Sequence, residues 1–381
     1  MKATNRDAGG LSTTTGGQRP GYIWRGYMLD EARHFFGKDT VRRTLDHMAA
    51  HGLNVFHWHL TDDQGWRLDV PGFPELVKYG AIRPGSPFYG EDHSFDGVSY
   101  GPFFYTPDDV REIIGYANER GIMVVPEIDL PGHVGALLAA HPEFSCLGEA
   151  YGRTPYCKFG ICDDVVCLGN DEAVAWCERL LEAVMELFPG EYLHIGGDEA
   201  PTKRWEKCDK CRARMRELGL AEPRQLQNWF TRRIVGFVSS CGRRAVGWDE
   251  IIEGGELPPG TIVQCWRDVK YAIRAAEAGL DVIMSPVFQT YLSIPEGLED
   301  DPYRYRGWVM ESNRRITSAS LRAFDPRAQI PEELHKRILG AECCSWTEVT
   351  KTPAELEYKA FGRLAAFGAA FSNKGHRKTV C

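Results

Sequence analysis

The chain has 381 residues, of which 43% are hydrophobic and 26% charged, and its formal net charge is −8. This is the composition of an ordinary globular protein, long enough for one large barrel or for two or three smaller domains. The negative charge argues against a nucleic-acid partner and an anionic membrane surface, and no apolar run reaches the roughly 18–20 residues of a membrane span.

Both ends of the chain are predicted to be flexible tails, over 1–20 and 373–381, around one folded unit over 21–372. Residues 1–20 are rich in Gly, Ser and Thr and have no apolar segment, so they do not resemble a signal peptide. We therefore expect a cytoplasmic location, with export of a longer precursor left open.

Eight short runs rich in β-branched and aromatic residues predict strands, and most of them precede a helical pattern. The predicted strands are 22–30, 53–60, 122–129, 192–197, 244–249, 261–266, 281–286 and 338–345. The clearest predicted helices are 38–51, 107–120, 171–188, 223–241, 269–279 and 353–371. This alternation predicts an α/β fold, a (β/α)8 barrel. A doubly wound open sheet is the alternative, although no Gly-x-Gly-x-x-Gly follows a strand.

Polar and aromatic residues gather at the carboxyl ends of these strands, where barrels carry their functional sites. In chain order they are Asp30, Asp62, Asp63, Asp129, His133, Asp198, Glu199, Trp248, Asp249, Glu250, Trp266, Trp346, Thr347 and Glu348. Long connections over 61–106, 130–170 and 287–337 follow the same strand ends. We expect these connections to shape a pocket.

The fourth strand ends in YLHIGGDEAP (192–201), which carries Asp198 and Glu199 behind two glycines. Neighbouring side chains of a regular strand point to opposite faces, so two adjacent acids share a site only where the strand is broken. Gly196 and Gly197 permit such a break. The alternative is a solvated acidic pair at the start of a helix, where the helix dipole favours carboxylates.

Tryptophan at three strand ends indicates a sugar pocket. Trp248, Trp266 and Trp346 supply aromatic faces for a pyranose ring, and carboxylates and arginine bind its hydroxyls. Glu348 and Arg25 are candidates for that polar role. The alternative for each tryptophan alone is that it fills the core. A neutral carbohydrate is the partner that this set favours.

Two imidazoles, His57 and His59, share one face of the second strand, as in metal-dependent hydrolases with barrel folds. Such enzymes need further histidines from later strands. After His194 the chain has only His335 and His376, and neither follows a predicted strand. A hydrogen-bonded structural role is therefore favoured over a metal-dependent amidohydrolase.

The Cys208-x-x-Cys211 pair is compatible with zinc, but no second such pair or suitably spaced histidine pair follows it. Four more of the 12 cysteines lie in one loop-like region, at positions 146, 157, 162 and 167. Free, partly buried thiols are favoured over a structural metal, with pairing of the loop cysteines open if the protein is exported. We expect no metal and no cofactor.

Six motifs together resemble the glycoside hydrolase family 20 β-N-acetylhexosaminidases, over roughly 22–371. They are RGYMLDEARHF (25–35), HWHLTDDQGWR (57–67), PEIDLPGH (126–133), HIGGDE (194–199), GWDE (247–250) and SWTE (345–348). The resemblance implies a retaining exo-enzyme that removes terminal β-GlcNAc or β-GalNAc. In that family the substrate's own 2-acetamido oxygen attacks C1 and forms an oxazolinium intermediate.

The resemblance also implies roles for individual residues. Glu199 matches the general acid, which begins protonated, and Asp198 matches the ionised residue that orients the acetamido N–H. Tyr291 matches the hydroxyl donor to the acetamido oxygen. His133 and Asp62 match a pair that supports the acid.

For substrate binding, Arg25 matches the residue that holds the 3- and 4-hydroxyls, and Glu348 matches an acceptor for the 4-hydroxyl. The tryptophans match the walls of the acetamido pocket; they are Trp248, Trp266 and Trp346. The family's usual Tyr-Leu-Asp appears here as Tyr291-Leu292-Ser293. Ser293 therefore predicts tolerance of 6-sulfated sugars, because the missing aspartate would repel an anionic 6-substituent.

Two further points stay open in the sequence. Many family members carry an α+β domain before the barrel, whereas only about 20 residues precede it here, so the chain is either a barrel-only form or a shortened one. A catalytically silent carbohydrate-binding barrel is the alternative function, although such a protein need not keep both acids and Tyr291. A homodimer is compatible with the sequence.

Overall fold

The computed structural model describes residues 21–88, 94–297 and 314–371. The predicted tails over 1–20 and 373–381 lie outside these residues, as does part of the 287–337 connection. The domain limits therefore stay a prediction.

Ten strands are present in the described residues: β1 (Trp24–Asp30), β2 (Val55–His59), β3 (Thr61–Asp62), β4 (Gly65–Trp66), β5 (Met123–Glu127), β6 (Tyr192–His194), β7 (Arg244–Trp248), β8 (Ile262–Cys265), β9 (Asp281–Met284) and β10 (Ile338–Ser345). The helices are α1 (Lys38–Ala50), α2 (Pro74–Gly80), α3 (Pro107–Asn118), α4 (Gly135–Ala140), α5 (Asp171–Leu187), α6 (Lys203–Lys207), α7 (Asp209–Glu217), α8 (Pro223–Ser240), α9 (Val269–Glu277), α10 (Val287–Thr290), α11 (Ser318–Ala323) and α12 (Pro353–Phe371). None of these helices is long and apolar enough to cross a membrane.

Eight of the strands close into one parallel barrel in chain order, from β1 through β2 and β5 to β10, and β10 pairs again with β1. β3 and β4 form a separate antiparallel hairpin after β2. The predicted (β/α)8 barrel is confirmed, with all eight predicted strands and all six of the clearest helices present. The main difference is β6, which ends at His194 because the two glycines of the fourth strand end leave the extended conformation.

The barrel interior has two layers of different character. An apolar layer fills the end where the strands begin, and it consists of Trp24, Val55, Val125, Tyr192, Val246, Ile262 and Ile283. A polar layer follows towards the carboxyl ends, and its buried members include His57, Glu127, His194, Gln264 and Glu342. The polar layer forms the floor beneath the carboxyl ends of the strands.

Candidate active site

An open cavity of about 610 Å³ lies at the carboxyl ends of the barrel strands. Its polar lining includes Arg33, Gln64, His133, Asp198, Glu199, Arg267, Tyr291, Ser293 and Glu348. Its apolar lining includes Phe159, Ile161, Trp266, Phe288 and Trp346. The lining comes from both sides of the barrel, and both members of the acidic pair reach it.

The two glycines before the acids make the turn that the sequence predicts. Gly196 and Gly197 have φ angles of 65° and 96°, in the left-handed region that favours glycine. A Cβ on Gly196 would lie 1.8 Å from Oδ1 of Asp129, so this position admits no side chain. Glu199 itself has a φ of 44°. This backbone geometry brings Asp198 and Glu199 into one cavity, and they do not form a solvated pair at a helix start.

His133 lies between the acidic pair and the carboxylates of the second strand end. Its Nε2 is 3.6 Å from Oδ2 of Asp198 and 3.5 Å from Oε2 of Glu199. Its Nδ1 is 3.3 Å from Asp62 and 3.3 Å from Asp63. Burial opposes the charge on His133, but Asp62 and Asp198 hold its pKa well above the usual value. His133 thus lies beside both acids and beside Asp62, and its predicted role with Asp62 in supporting the acid stays a prediction.

Arg33 and Arg267 are the arginines that line the cavity, and the structure does not bring the predicted Arg25 to it. Arg25 is the second residue of β1, so its side chain lies at the opposite end of the barrel. There it donates hydrogen bonds to the carbonyl oxygens of Gly52 (2.7 Å) and Tyr22 (2.6 Å). Arg33 follows the carboxyl end of the same strand and lines the cavity.

Arg33 is held in place by carboxylates on two sides. It forms ion pairs with Asp30 at 3.1 Å and with Asp62 at 2.8 Å, and it lies 3.8 Å from Glu348. Its guanidinium also lies 5.1 Å from the ring centre of Trp346. Arg33 and His133 both depress the pKa of Asp62 far below its usual value, although burial acts against them. One carboxylate thus connects the arginine to the histidine beside the acids.

Two of the three predicted tryptophans line the cavity. Trp266 stacks on Tyr291 with ring centres 6.3 Å apart, and Trp346 lies 6.1 Å from the same tyrosine. Trp248 is not among the side chains that reach the open cavity, and its predicted place in the wall of the acetamido pocket stays a prediction. It is buried beneath Trp346 at 5.8 Å, and its Nε1 donates to Glu127 at 2.8 Å.

Tyr291 and Ser293 reach the cavity from the connection after β9. The backbone of Tyr291 forms a bridge to Cys344 of β10, which fixes the tyrosine beside the eighth strand. Burial raises the pKa of its hydroxyl well above the usual value, so the hydroxyl stays protonated and can donate. The side chain of Glu348 is partly exposed to the cavity, and the partial burial of its carboxyl raises the pKa of Glu348.

A second carboxylate, Asp129, lies behind Asp198 and was not among the predicted site residues. Its Oδ1 accepts the N–H of Gly197 at 3.0 Å. Burial raises the pKa of Asp129 to about 7, and burial and then Asp129 raise the pKa of Asp198 well above its usual value. Both carboxyls therefore hold a proton more tightly than an exposed aspartate does. The ionised state of Asp198 that the family resemblance implies stays a prediction.

The floor under this pair is a network of histidines and carboxylates. His57 lies 2.7 Å from Glu342 and 2.9 Å from Glu127, and His59 lies 2.5 Å from Glu127 and 2.9 Å from Asp62. Although burial opposes it, Glu342 and Glu127 raise the pKa of His57 to about 9. The predicted hydrogen-bonded role of His57 and His59 agrees with these contacts.

Three groups of side chains near the site place metal-ligand atoms within 4.8 Å of one another. They are His57, Glu127 and His194; Asp62, Asp63 and His133; and Asp129, His133 and Asp198. Each is built on contacts between a histidine and a carboxylate, which already compensate the buried charges. The expectation that the sugar site uses no metal stays a prediction.

The arrangement combines an acid at the edge of the cavity, a buried acid behind it, a tyrosine donor and an aromatic wall. Such a set can protonate a leaving oxygen, stabilise a developing cation and stack on a sugar ring. Sequence reasoning missed Arg33 and Asp129 as site residues. Strand direction would have identified Arg33, since the RGYMLDEARHF motif has an arginine at each end of β1.

The chain matches the family model described as the catalytic domain of glycosyl hydrolase family 20, over residues 22–371. A β-hexosaminidase of Porphyromonas gingivalis is 37% identical over 350 residues, which cover 91% of this chain and 42% of that protein. A β-hexosaminidase of Vibrio furnissii is 35% identical over 92% of this chain and 57% of its own length. The chain thus spans about half the length of these curated relatives.

Solved structures agree with this match. A crystal structure of a β-N-acetylhexosaminidase superimposes with a TM-score of 0.81 at 31% identity, and covers 92% of this chain and 71% of that one. The exo-β-N-acetylglucosaminidase of Vibrio harveyi, in complex with N-acetylglucosamine, gives 0.79 at 30% identity over 93% and 55% of the two chains.

Proposed function

Because the chain belongs to glycosyl hydrolase family 20, we propose that it is an exo-β-N-acetylhexosaminidase, which removes terminal β-GlcNAc or β-GalNAc from glycans. The observation that carries the proposal is one cavity lined by Asp198, Glu199 and Tyr291, with aromatic side chains beside them. An acid next to an aromatic surface is what cleavage of a stacked sugar requires. A cavity of about 610 Å³ has the size of a small-ligand site.

Glu199 is the general acid of the proposed reaction. It protonates the leaving oxygen while the bond from that oxygen to C1 breaks, and the acetamido carbonyl oxygen forms the new bond to C1. The oxazolinium ring that results is opened by water, whose proton returns to Glu199. The left-handed backbone at Glu199 supports this role because it turns the carboxyl into the cavity beside His133.

Asp198 and Tyr291 position the acetamido group, so that the substrate supplies the nucleophile. Tyr291 is suited to donate to the acetamido oxygen, because it lines the cavity and burial keeps its hydroxyl protonated. Asp198 accepts the acetamido N–H and stabilises the charge that develops on the nitrogen. For this step Asp198 must be ionised, and Asp129 behind it, whose pKa burial raises to about 7, is a carboxyl that can hold a proton in its place.

Arg33, in place of Arg25, takes the role of holding the sugar hydroxyls, together with Glu348. Both residues lie at the cavity, 3.8 Å apart, and present a donor and an acceptor to neighbouring hydroxyls. Asp30 and Asp62 fix the guanidinium, which limits the entropy lost when a substrate binds.

The test compares p-nitrophenyl β-GlcNAc with p-nitrophenyl β-glucoside, which lacks the acetamido group. The wild type should hydrolyse only the first at a substantial rate, and Glu199→Gln should lower kcat by about 10²- to 10⁴-fold. Glu191→Gln is the matched control, because Glu191 is exposed just before the same strand, at the other end of the barrel. Equal rates on both glycosides, or full activity in Glu199→Gln, would contradict the mechanism; binding without hydrolysis in the wild type would indicate a carbohydrate-binding barrel.

We further propose that the site tolerates a sulfate at the 6-position. Ser293 lines the cavity without a charge, at the position where the family pattern has an aspartate. Rates on 6-sulfated and unmodified aryl-GlcNAc should be of similar order, and Ser293→Asp should lose the sulfated substrate selectively, whereas Ser293→Asn should keep it. Complete rejection of the sulfated substrate by the wild type would refute this proposal.

A further inference from the structure

Four cysteines that are far apart in the sequence converge beside the cavity loops. Cys146 and Cys167 come from the connection after β5, and Cys208 and Cys211 come from the connection after β6. Their four sulfur atoms lie within 4.8 Å of one another. The sulfur of Cys211 is 3.8 Å from that of Cys146 and 3.7 Å from that of Cys167, which is also 3.7 Å from Cys208.

These distances are those of a tetrahedral metal–thiolate site. Four sulfurs at the usual Zn–S distance of about 2.3 Å form a tetrahedron with edges of about 3.8 Å. A disulfide would bring two sulfurs to about 2.05 Å, and all four cysteines are free in the structure. The four atoms are thus spaced for a common ligand and not for bonding in pairs.

A helix N-terminus and a backbone donor lie beside two of the four sulfur atoms. Cys208 is the N-cap of α7 and Cys211 lies in its first turn, where the helix dipole favours negative charge. The backbone N–H of Gly169 donates to the sulfur of Cys211 at 3.4 Å. Backbone N–H donors and a helix N-terminus are partners that orient thiolate ligands and tune their basicity.

We propose that Cys146, Cys167, Cys208 and Cys211 bind one Zn²⁺ in a closed, four-coordinate structural site. Four thiolates with tetrahedral spacing favour zinc among the common metals, and thiols that are still protonated release their protons to solvent when the metal binds. The four ligands leave no open position, so the ion has no part in hydrolysis.

The sequence alone does not reveal this cluster, because the partners of the Cys208-x-x-Cys211 pair are not local. Cys167 precedes Cys208 by 41 positions, and Cys146 precedes Cys211 by 65 positions. Only the barrel, which places consecutive β-to-α connections side by side, brings the two pairs together.

The site would connect two loops that build the sugar cavity. The connection after β5 carries Phe159 and Ile161 of the cavity wall, and the connection after β6 begins with Asp198 and Glu199. Other polar contacts also join these loops near the cluster. They include ion pairs of Arg204 with Asp164 at 2.7 Å and of Lys203 with Asp163 at 3.3 Å, and a hydrogen bond from the indole of Trp205 to the carbonyl of Val166 at 2.9 Å.

The direct test is the metal content of the whole protein, purified under reducing conditions without added metal. Inductively coupled plasma mass spectrometry should find about one zinc per chain, and reconstitution with Co²⁺ should give the absorption of tetrahedral cobalt thiolate. The double variant Cys208→Ser/Cys211→Ser should lose about tenfold or more of the zinc. Cys157→Ser is the matched control, because Cys157 is a buried cysteine of the same loop outside the cluster, and it should keep the metal.

Wild-type protein that is reduced and offered Zn²⁺ but binds none would overturn the proposal, and so would two disulfides among the four cysteines or iron in place of zinc. If the double variant does not fold, the zinc content and cobalt spectrum of the wild type still decide. Removal of zinc with a chelator should lower Tm and raise KM more than it lowers kcat, since the loops and not the acid are loosened. Metal content is measured without any glycoside, so its outcome is independent of the proposed hydrolase activity.

Discussion

The two ends of the barrel are made of the same eight strands but obey different rules. At the end where the strands begin, an apolar layer closes the interior. The guanidinium of Arg25 there donates its hydrogen bonds to backbone carbonyl oxygens. At the carboxyl end, Arg33, His133 and the acidic pair of residues 198 and 199 are buried or partly buried around a cavity. The first end satisfies its polar groups locally, whereas the second keeps charged groups directed at space that a ligand can fill.

Unfavourable backbone conformations and buried charged groups are concentrated at the carboxyl end of the barrel. The left-handed backbone of Gly196, Glu199 and His133 lies at the carboxyl end, as does the pair Asp198 and Asp129 with its raised pKa values. Strained backbone and shifted pKa values both cost folding stability, and they cluster at functional sites, where they serve binding or catalysis. Substitutions of the same kind at the two ends should therefore have very unequal effects.

The largest difference is expected between two glycines that flank the same strand. Gly196→Ala should lower kcat/KM by about 10²-fold or more, since the new Cβ would lie 1.8 Å from Asp129 and displace the acids. Its left-handed φ adds a cost on the order of 1–3 kcal/mol to folding. Gly190→Ala should leave activity nearly unchanged and lower Tm only slightly, because its Cβ would make one tight contact, at 3.2 Å from the carbonyl oxygen of Val124, far from the acids. Equal effects in an activity assay and a melting curve would contradict this account.

A smaller difference is expected between Arg25, which lies near the start of β1, and Arg33, which follows the carboxyl end of that strand. Arg33→Lys keeps the charge but loses the planar fork, and should lower kcat/KM by about 10- to 100-fold, the equivalent of one or two hydrogen bonds to a charged group. Arg25→Lys should change kcat/KM by less than about twofold, with any loss confined to stability. Steady-state kinetics on p-nitrophenyl β-GlcNAc measures both. The reverse order would restore Arg25 as the residue that binds substrate.

The smallest effect is expected from Asp129→Asn, and it depends on pH. The pKa of Asp129 is about 7 in the folded protein and about 3.9 in an unfolded chain, so the folded state holds the proton longer as pH rises. The wild type should therefore lose stability between about pH 4 and pH 7, and Asp129→Asn should lose less because its amide has no proton to release. Denaturant midpoints at several pH values test this, with the exposed Asp39→Asn as the control.

A fall in stability over this window that is as steep in Asp129→Asn as in the wild type would contradict the raised pKa of Asp129. In the same variant the amide oxygen can still accept the hydrogen bond from the backbone N–H of Gly197. Activity at neutral pH should therefore fall by no more than several-fold.

Much of this molecule was predictable from its sequence. The strands and helices follow from apolar periodicity, and the position of Asp198 and Glu199 follows from a strand that ends in two glycines. The parallel barrel then places every strand's carboxyl end at one face, so residues far apart in the chain become neighbours. His133 and Tyr291 are brought to the acids for this reason.

The features that the sequence did not predict depend on where a strand ends, which way a side chain points and how deeply it is buried. Arg25 and Arg33 lie in one motif, and only the extent of β1 decides which end each occupies. Trp248 follows a strand end as Trp346 does, yet its indole turns down to Glu127 and becomes part of the floor. The pKa of Asp129 depends on burial beside Asp198, and the tetracysteine cluster depends on two loops meeting. None of these is encoded in local spacing.

In the proposed mechanism the acetamido group of the substrate is the nucleophile, and Asp198 and Tyr291 hold it in position. The most direct measurement is inhibition by a GlcNAc thiazoline, whose fused ring copies the oxazolinium intermediate. We predict competitive inhibition with an inhibition constant about 10²-fold or more below KM, weakened strongly in Asp198→Asn and Tyr291→Phe. An inhibition constant no lower than KM, or one that both substitutions leave unchanged, would contradict the account.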